Sequence, residues 1–177
     1  MEKKVLVKRA KRGDTHAFAK LYEEIYKELY RYALYMLRNE KDAEDVVSET
    51  VIAAFHSITL LKDESKFEQW MFSILSNQCR IWIRQYYENK ISIDDEENCP
   101  QEITSKDSYP QEVEDKMYIE DLLNSLKEDE KEIILLHVFG GYRYHEIASI
   151  LGLNENTVRS KESRAMKKLR ENWKEVR

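Results

Sequence analysis

Arg159, Ser160, Ser163, Arg164, Lys167 and Arg170 recur at spacings that bring them to one side of a helix turning about 100° per residue. A planar guanidinium can give two hydrogen bonds to a guanine edge. A serine hydroxyl is short and can donate or accept, and an ammonium meets phosphate as a point charge. The chemistry on offer is recognition of a nucleic-acid duplex, not bond making. A merely solvated basic face would carry the same charges. What separates the two is whether the flanking residues build a helix obliged to present that face.

They do. Residues 144–151 (YHEIASIL) place Ile147, Ala148, Ile150 and Leu151 on one face of a short helix. Gly152 suits a left-handed turn, Asn154 is a good N-cap, and Glu155 suits the positive end of a helix dipole. Val158, Ala165, Met166, Leu169 and Trp173 then cluster roughly opposite the basic face. Helix, glycine turn and basic helix, the last spanning about Glu155 to Arg170, form a helix-turn-helix pattern suited to the DNA major groove. One residue breaks the pattern: Glu162 falls inside the apolar sector. It is expected at the rim or paired with a nearby Lys or Arg, because buried alone it would cost several kcal/mol.

The first ninety residues read as a helical bundle. Asp14 is placed to cap a helix with Phe18, Leu21, Tyr22, Ile25, Leu29, Tyr32, Ala33 and Met36 inward, and Tyr26, Tyr30 and Leu34 widen that stripe. Asn39 caps a second, with Ala43, Val47, Thr50, Val51, Ala54, Phe55 and Ile58 in register. After a polar break at Lys62–Ser65, Ser65 and Glu68 form an S-x-x-E capping box for a third. Its inward residues are Phe67, Trp70, Met71, Ile74, Leu75, Ile81 and Trp82, so Trp70 and Trp82 are assigned to the core by their phase. From about Glu88 to Lys116 the periodicity fails, and both prolines fall there. Helices resume near Met117 with Ile119, Leu122, Leu123 and Leu126. Another follows, with Ile133, Ile134, Leu136, His137 and Val138, and ends at Gly140-Gly141.

Bulk composition agrees. Only six of 177 residues are Gly or Pro and 36% are charged, which favours an all-α chain. The net charge of −5 argues against nucleic acid until it is resolved along the chain. Residues 91–116 hold 2 basic against 9 acidic side chains, whereas residues 156–177 hold 8 basic against 3 acidic. No apolar run approaches the roughly 20 residues of a membrane span, and the N-terminus lacks the apolar stretch of a signal peptide. The two cysteines and four histidines have no metal-ligand spacing, and no phosphate loop or nucleophile motif is present. These features lead to the expectation of a cytoplasmic, non-enzymatic protein with no cofactor and no membrane insertion.

The order of elements resembles the bacterial group IV, or extracytoplasmic function (ECF), sigma factors of RNA polymerase. The resemblance rests on Asp42-Ala43-Glu44-Asp45-Val46-Val47-Ser48-Glu49-Thr50, on Lys66-Phe67 with Trp70 and Asn77, and on Glu146-Ile147-Ala148, Leu151-Gly152, Thr157-Val158-Arg159-Ser160 and Arg164-Ala165. It departs from the family at Ser48, where glutamine is usual, and at Ile81 and Trp82, where aspartate and arginine are common.

The resemblance implies an all-α fold of two small helical domains, an N-terminal bundle (1–90) and a C-terminal helix-turn-helix (117–177), joined by a flexible acidic linker (91–116). Core RNA polymerase and promoter DNA are the implied partners, and the linker leaves room for an anti-sigma factor. Asp42, Glu44, Asp45 and Glu49 would face basic residues of the polymerase clamp. Lys62, Asp63, Glu64, Ser65 and Lys66 would shape a pocket for an extruded base of the −10 element. Asn77, Arg80 and Arg84 would contact its backbone or base edges, and Tyr86 and Tyr87 would stack. At the −35 element Arg159, Ser160, Ser163 and Arg164 would lie nearest the bases, with Arg143, Lys167 and Lys168 on phosphate. Asn156 and Thr157 sit at the helix N-terminus, where backbone N–H groups favour phosphate. The rival readings are a helix-turn-helix regulator acting without core polymerase, and a protein-interaction adaptor with an incidental basic helix.

Overall fold

The computed structural model describes residues 3–92 and 118–175, which are helices and short turns throughout. The chain divides into two compact units, residues 1–99 and 100–177. Most of the expected linker falls in residues 93–117, outside the described residues.

In the first unit, α1 (Lys3–Ala10), α2 (Thr15–Leu37), α3 (Glu40–Ser57) and α4 (Phe67–Ser92) follow one another. Two single 3₁₀ turns, Ile58–Leu60 and Glu64–Lys66, separate α3 from α4. Two caps form as expected: Asp14 Oδ1 accepts from the Ala17 N–H at 3.0 Å, and Asn39 Oδ1 from the Asp42 N–H at 3.0 Å. Each cap stabilises its helix by about 1 kcal/mol. Arg38 ends α2 in the left-handed region (φ 59°) with its N–H on Leu34 O, so the chain can turn into the Asn39 cap at once. The third expected cap does not form. Asp63, not Ser65, caps this junction, accepting from the Ser65 N–H at 2.9 Å and the Ser65 hydroxyl at 2.6 Å. Glu68 pairs with Lys3 instead. A carboxylate two residues upstream outcompetes the hydroxyl and takes it as a donor.

The bundle closes on Leu21, Leu29, Tyr32, Phe67, Met71 and Leu75, all essentially without solvent contact. Phe18 meets the edges of Phe55 and Phe67 at ring separations of 5.3 and 6.1 Å, tying α2 to α3 and α4. Each fully buried side chain of this size contributes about 1.5–3 kcal/mol. Trp70 and Trp82, assigned to the core by phase, are only partly buried, and Tyr26 is exposed. α4 runs on to Ser92, beyond the point where its periodicity fails.

In the second unit, a helix whose described part covers 118–124 (α5) precedes α6 (Glu128–Val138), α7 (Tyr144–Leu151) and α8 (Glu155–Glu175). Gly140 is required where α6 turns toward α7: a Cβ there would stand 2.4 Å from the Tyr142 ring and 2.7 Å from Leu136 O. Gly152 adopts φ 66° and closes α7 on Ala148 O. Helix, left-handed glycine and helix are thus where the spacing places them. α6 is buried from Glu130 to Leu136, three charged residues included, because the other helices of the unit enclose it.

Candidate nucleic-acid interface

α8 is anchored at its start and along one side. Asn154 Oδ1 accepts from the Thr157 N–H (2.8 Å) and the Thr157 hydroxyl (2.9 Å), so Thr157 belongs to the cap. Val158 and Ala165 are fully buried, but Met166, expected beside them, is exposed. The opposite face presents Asn156, Ser160, Ser163 and Lys167, all exposed, with Arg159 and Arg170 on one flank and Arg164 on the other. Ser160 Oγ donates to Thr157 O (3.0 Å), and Arg164 Nε lies 3.3 Å from Ser160 O. The bonds on this face are local, and its side chains project into solvent.

Arg159 is the most constrained of them. Its guanidinium bonds Glu155 Oε1 at 2.6 and 3.1 Å and lies 4.6 Å from the centre of the Tyr144 ring. Tyr144 in turn bonds Glu162, which raises the phenol's pKa. Glu162 Oε1 also lies 2.6 Å from His137 Nδ1, a close approach that is not aligned as a hydrogen bond. The residue that breaks the apolar sector therefore has partners on both α6 and α7. They are His137 and Tyr144, not the Lys or Arg expected.

Two cations on α8 turn away from the exposed face. Lys161 pairs with Asp129, and Lys168 Nζ reaches Glu130 Oε2 at 2.8 Å on α6. Glu130 is buried, and the Lys168 bond holds its carboxyl below the usual range. Lys168, expected on phosphate, is a structural tie here, because one helix's period cannot reveal an acidic partner on another. Arg143 is exposed, and its backbone N–H is taken by Glu146 (2.9 Å).

In the first unit, the loop between α3 and α4 is pinned at both ends by buried Leu61 and Phe67. Lys62, Asp63, Ser65 and Lys66 are exposed between them. The hydrogen bonds from Ser65 lower the Asp63 pKa. Glu64 is half-buried against Lys11. Leu60, 74% exposed beside this loop, is an apolar tip that helical phase alone did not single out. On α4, Asn77, Arg80, Arg84 and Tyr87 fall on one exposed face. Tyr86 does not share it: its ring stacks on Trp82 at 5.3 Å and 13°. The Tyr86 ring also meets that of Tyr87 edge-on at 5.9 Å, so the two tyrosines touch while leaving the helix in directions about 100° apart.

On α3, Glu44, Asp45 and Glu49 are exposed. Asp42 is half-buried, and burial, then its neighbour Asp45, raises its pKa. Ile52, 60% exposed, sits amid this acidic face. An isoleucine out of phase with the core was the signal available for it.

A groove of about 430 Å³ opens between α5, α6 and α8, lined by Ile119, Leu122, Ile134, Val138, Leu169 and Trp173. Phase assigned most of these to the core; Ile119, Val138 and Trp173 are between 42 and 66% exposed.

The family pattern described as "Sigma-70 region 2" matches residues 21–87, and that described as "Sigma-70, region 4" matches residues 116–169. RNA polymerase sigma factor NccH of Alcaligenes xylosoxydans is 32% identical over 173 residues, covering 93% of this chain and 90% of the relative. ECF RNA polymerase sigma factor SigL of Mycobacterium tuberculosis is 30% identical over 155 residues, 85% of each chain. The chain belongs to the ECF sigma factors.

This sigma factor also has the fold of solved relatives. The sigma factor RpoE of Bartonella quintana, solved with the anti-sigma factor NepR, superposes with a TM-score of 0.74 at 25% identity, covering 90% of this chain and 98% of that one. CnrH, solved with the cytosolic domain of CnrY, gives 0.72 at 24% identity over 94% of each chain. The sigma-factor patterns fall one in each compact unit, region 2 over α2 to α4 and region 4 over α5 to α8. Among the described residues no helix is long and apolar enough to cross a membrane.

Proposed function

We propose that this ECF sigma factor divides promoter reading between its two units. Residues 117–177 read the −35 element as duplex, and residues 1–90 hold core polymerase and capture the −10 element, with 91–116 as the tether. The observation that carries this reading is the exposed face of α8. Asn156, Ser160, Ser163, Arg164 and Lys167 stand opposite a buried Val158–Ala165 seam, and cap and ion pairs fix the helix around them.

Ser163 and Arg164 lie nearest the bases, with Ser160 beside them. Arg159, steadied by Glu155 and Tyr144, is presented at the same face. Lys167, Arg143 and Asn156 set register on phosphate. Lys168 and Thr157 act through the fold and not by direct contact.

In the first unit, the exposed loop around Lys62, Ser65 and Lys66 and the cationic α4 face of Asn77, Arg80 and Arg84 receive the opened −10 strand. Tyr87 offers a stacking surface there. Asp45 and Glu49, flanked by Asp42 and Glu44, face basic residues of the polymerase clamp, with Ile52 as an apolar centre in that contact. The apolar groove of the second unit suits a protein segment and not DNA, since it offers almost nothing to phosphate.

The chain supplies recognition and strand opening; the chemistry of transcription stays with core polymerase, in the cytoplasm. The solved Bartonella relative is held by an anti-sigma factor, and the same kind of partner suits this chain. Run-off transcription with purified core polymerase tests the reading: the full chain must direct initiation at a defined promoter. Tight duplex binding by the chain alone, with no association with core, would establish the regulator reading instead.

A further inference from the structure

We infer that Lys11 is the positioning residue for the loop at Leu61–Lys66, the segment proposed above to capture the −10 element; the inference rests on that reading. Lys11 follows α1, remote in sequence from the loop. Its ammonium donates to Leu61 O at 2.8 Å and pairs with Glu64 Oε1 at 3.2 Å. One side chain thus ties the loop's first backbone carbonyl to a carboxylate three residues on. Both Lys11 and Glu64 are about three-quarters shielded from solvent, where such bonds are less screened than at an open surface.

α1 is built to hold the ammonium there. Leu6, Val7 and Ala10 are buried against the bundle, and Lys3 ties the start of the helix to Glu24 on α2 and Glu68 on α4. A backbone hydrogen bond at Glu64 and then the bond from Lys11 lower the Glu64 pKa. With Glu64 held inward, the exposed side chains between Leu61 and Phe67 are Lys62, Asp63, Ser65 and Lys66, and Asp63 is engaged by Ser65. Without Lys11 the Glu64 carboxylate is released toward the strand the loop receives. It would repel phosphate and loosen the pocket.

The test uses the full chain with core polymerase on templates randomised at the −10 element, scored by sequencing the transcripts. Lys11→Met should lower the ratio between best and worst −10 sequences about tenfold, the size of one charge-assisted hydrogen bond. The −35 preference and core affinity should stay unchanged. Lys11→Arg should restore most of the discrimination. Should Lys11→Met fail to fold, Glu64→Gln, which keeps the shape and weakens the pair, should give a smaller loss of the same kind. An equal fall on all templates would make Lys11 merely structural and overturn the inference. Lys66→Ala separates the levels: a shifted −10 preference with Lys66→Ala but not with Lys11→Met defeats the inference alone. If neither variant shifts the preference, the loop reading falls and the inference with it.

Discussion

Glu162 Oε1 on α8 lies 2.6 Å from His137 Nδ1 on α6, with the Tyr144 hydroxyl of α7 bonded to the same carboxylate. One acidic side chain thus joins the three helices that orient the reading face. The Glu162 contacts add to the Val158–Ala165 seam and to the Lys161–Asp129 and Lys168–Glu130 pairs in holding α8 in register. Glu162→Ala should therefore lower the stability of the second unit by about 1–2 kcal/mol, because it removes the carboxylate that the Tyr144 hydroxyl bonds and that lies against His137. Urea unfolding followed by a probe in that unit measures this. An unchanged midpoint would show that the carboxylate contributes nothing to holding α8.

The Lys168–Glu130 pair gives the second unit a pH dependence of defined sign. The bond to Lys168 depresses the folded-state pKa of Glu130 below its ordinary 4.5. Its contribution is present above that value and is lost as pH falls through the lower folded pKa. Denaturation midpoints taken from pH 6 down to about 2 should fall below about pH 4.5, and Glu130→Gln should flatten that part of the curve. A Gln variant with the same acid limb as the wild type would remove Glu130 from this role.

The exposed acidic face of α3 makes a charge-reversal prediction. Asp45→Lys with Glu49→Lys should weaken association with core polymerase at least tenfold, and more steeply at low salt. Duplex binding by the second unit should be unaffected. Ile52→Ser should weaken the same association without the salt dependence. Core binding that survives the double reversal in a folded protein would place the contact elsewhere.

Local chemistry was the legible part of this fold. Asp14, Asn39 and Asn154 cap as expected because the acceptor and the N–H it meets are three residues apart on one turn. Gly152 turns as expected because φ 66° favours glycine. Where two local candidates competed, at Asp63 and Ser65, the pattern S-x-x-E misled, since the stronger acceptor stood outside it. The candidate site was legible as faces but not as partners. Helical phase placed Ser160, Ser163, Arg164 and Lys167 outward and left Lys168 off that face; the family resemblance put Lys168 on phosphate, and neither could show that Glu130 reaches it from another helix. Nor could it foresee that Ile119 and Trp173 line an open groove, because phase records that a side chain is apolar, not whether another helix covers it.

The division of promoter reading between the two units is tested most directly by Arg164→Ala in the reconstituted holoenzyme, transcribing templates randomised at both elements. Arg164 should contribute about 1–3 kcal/mol at one base pair. Preference at one −35 position should relax by that amount while −10 preferences stay as in the wild type. A uniform loss on all −35 sequences would make Arg164 a phosphate contact. A shift in −10 preference with the −35 profile intact would contradict the assignment of α8 to the −35 element.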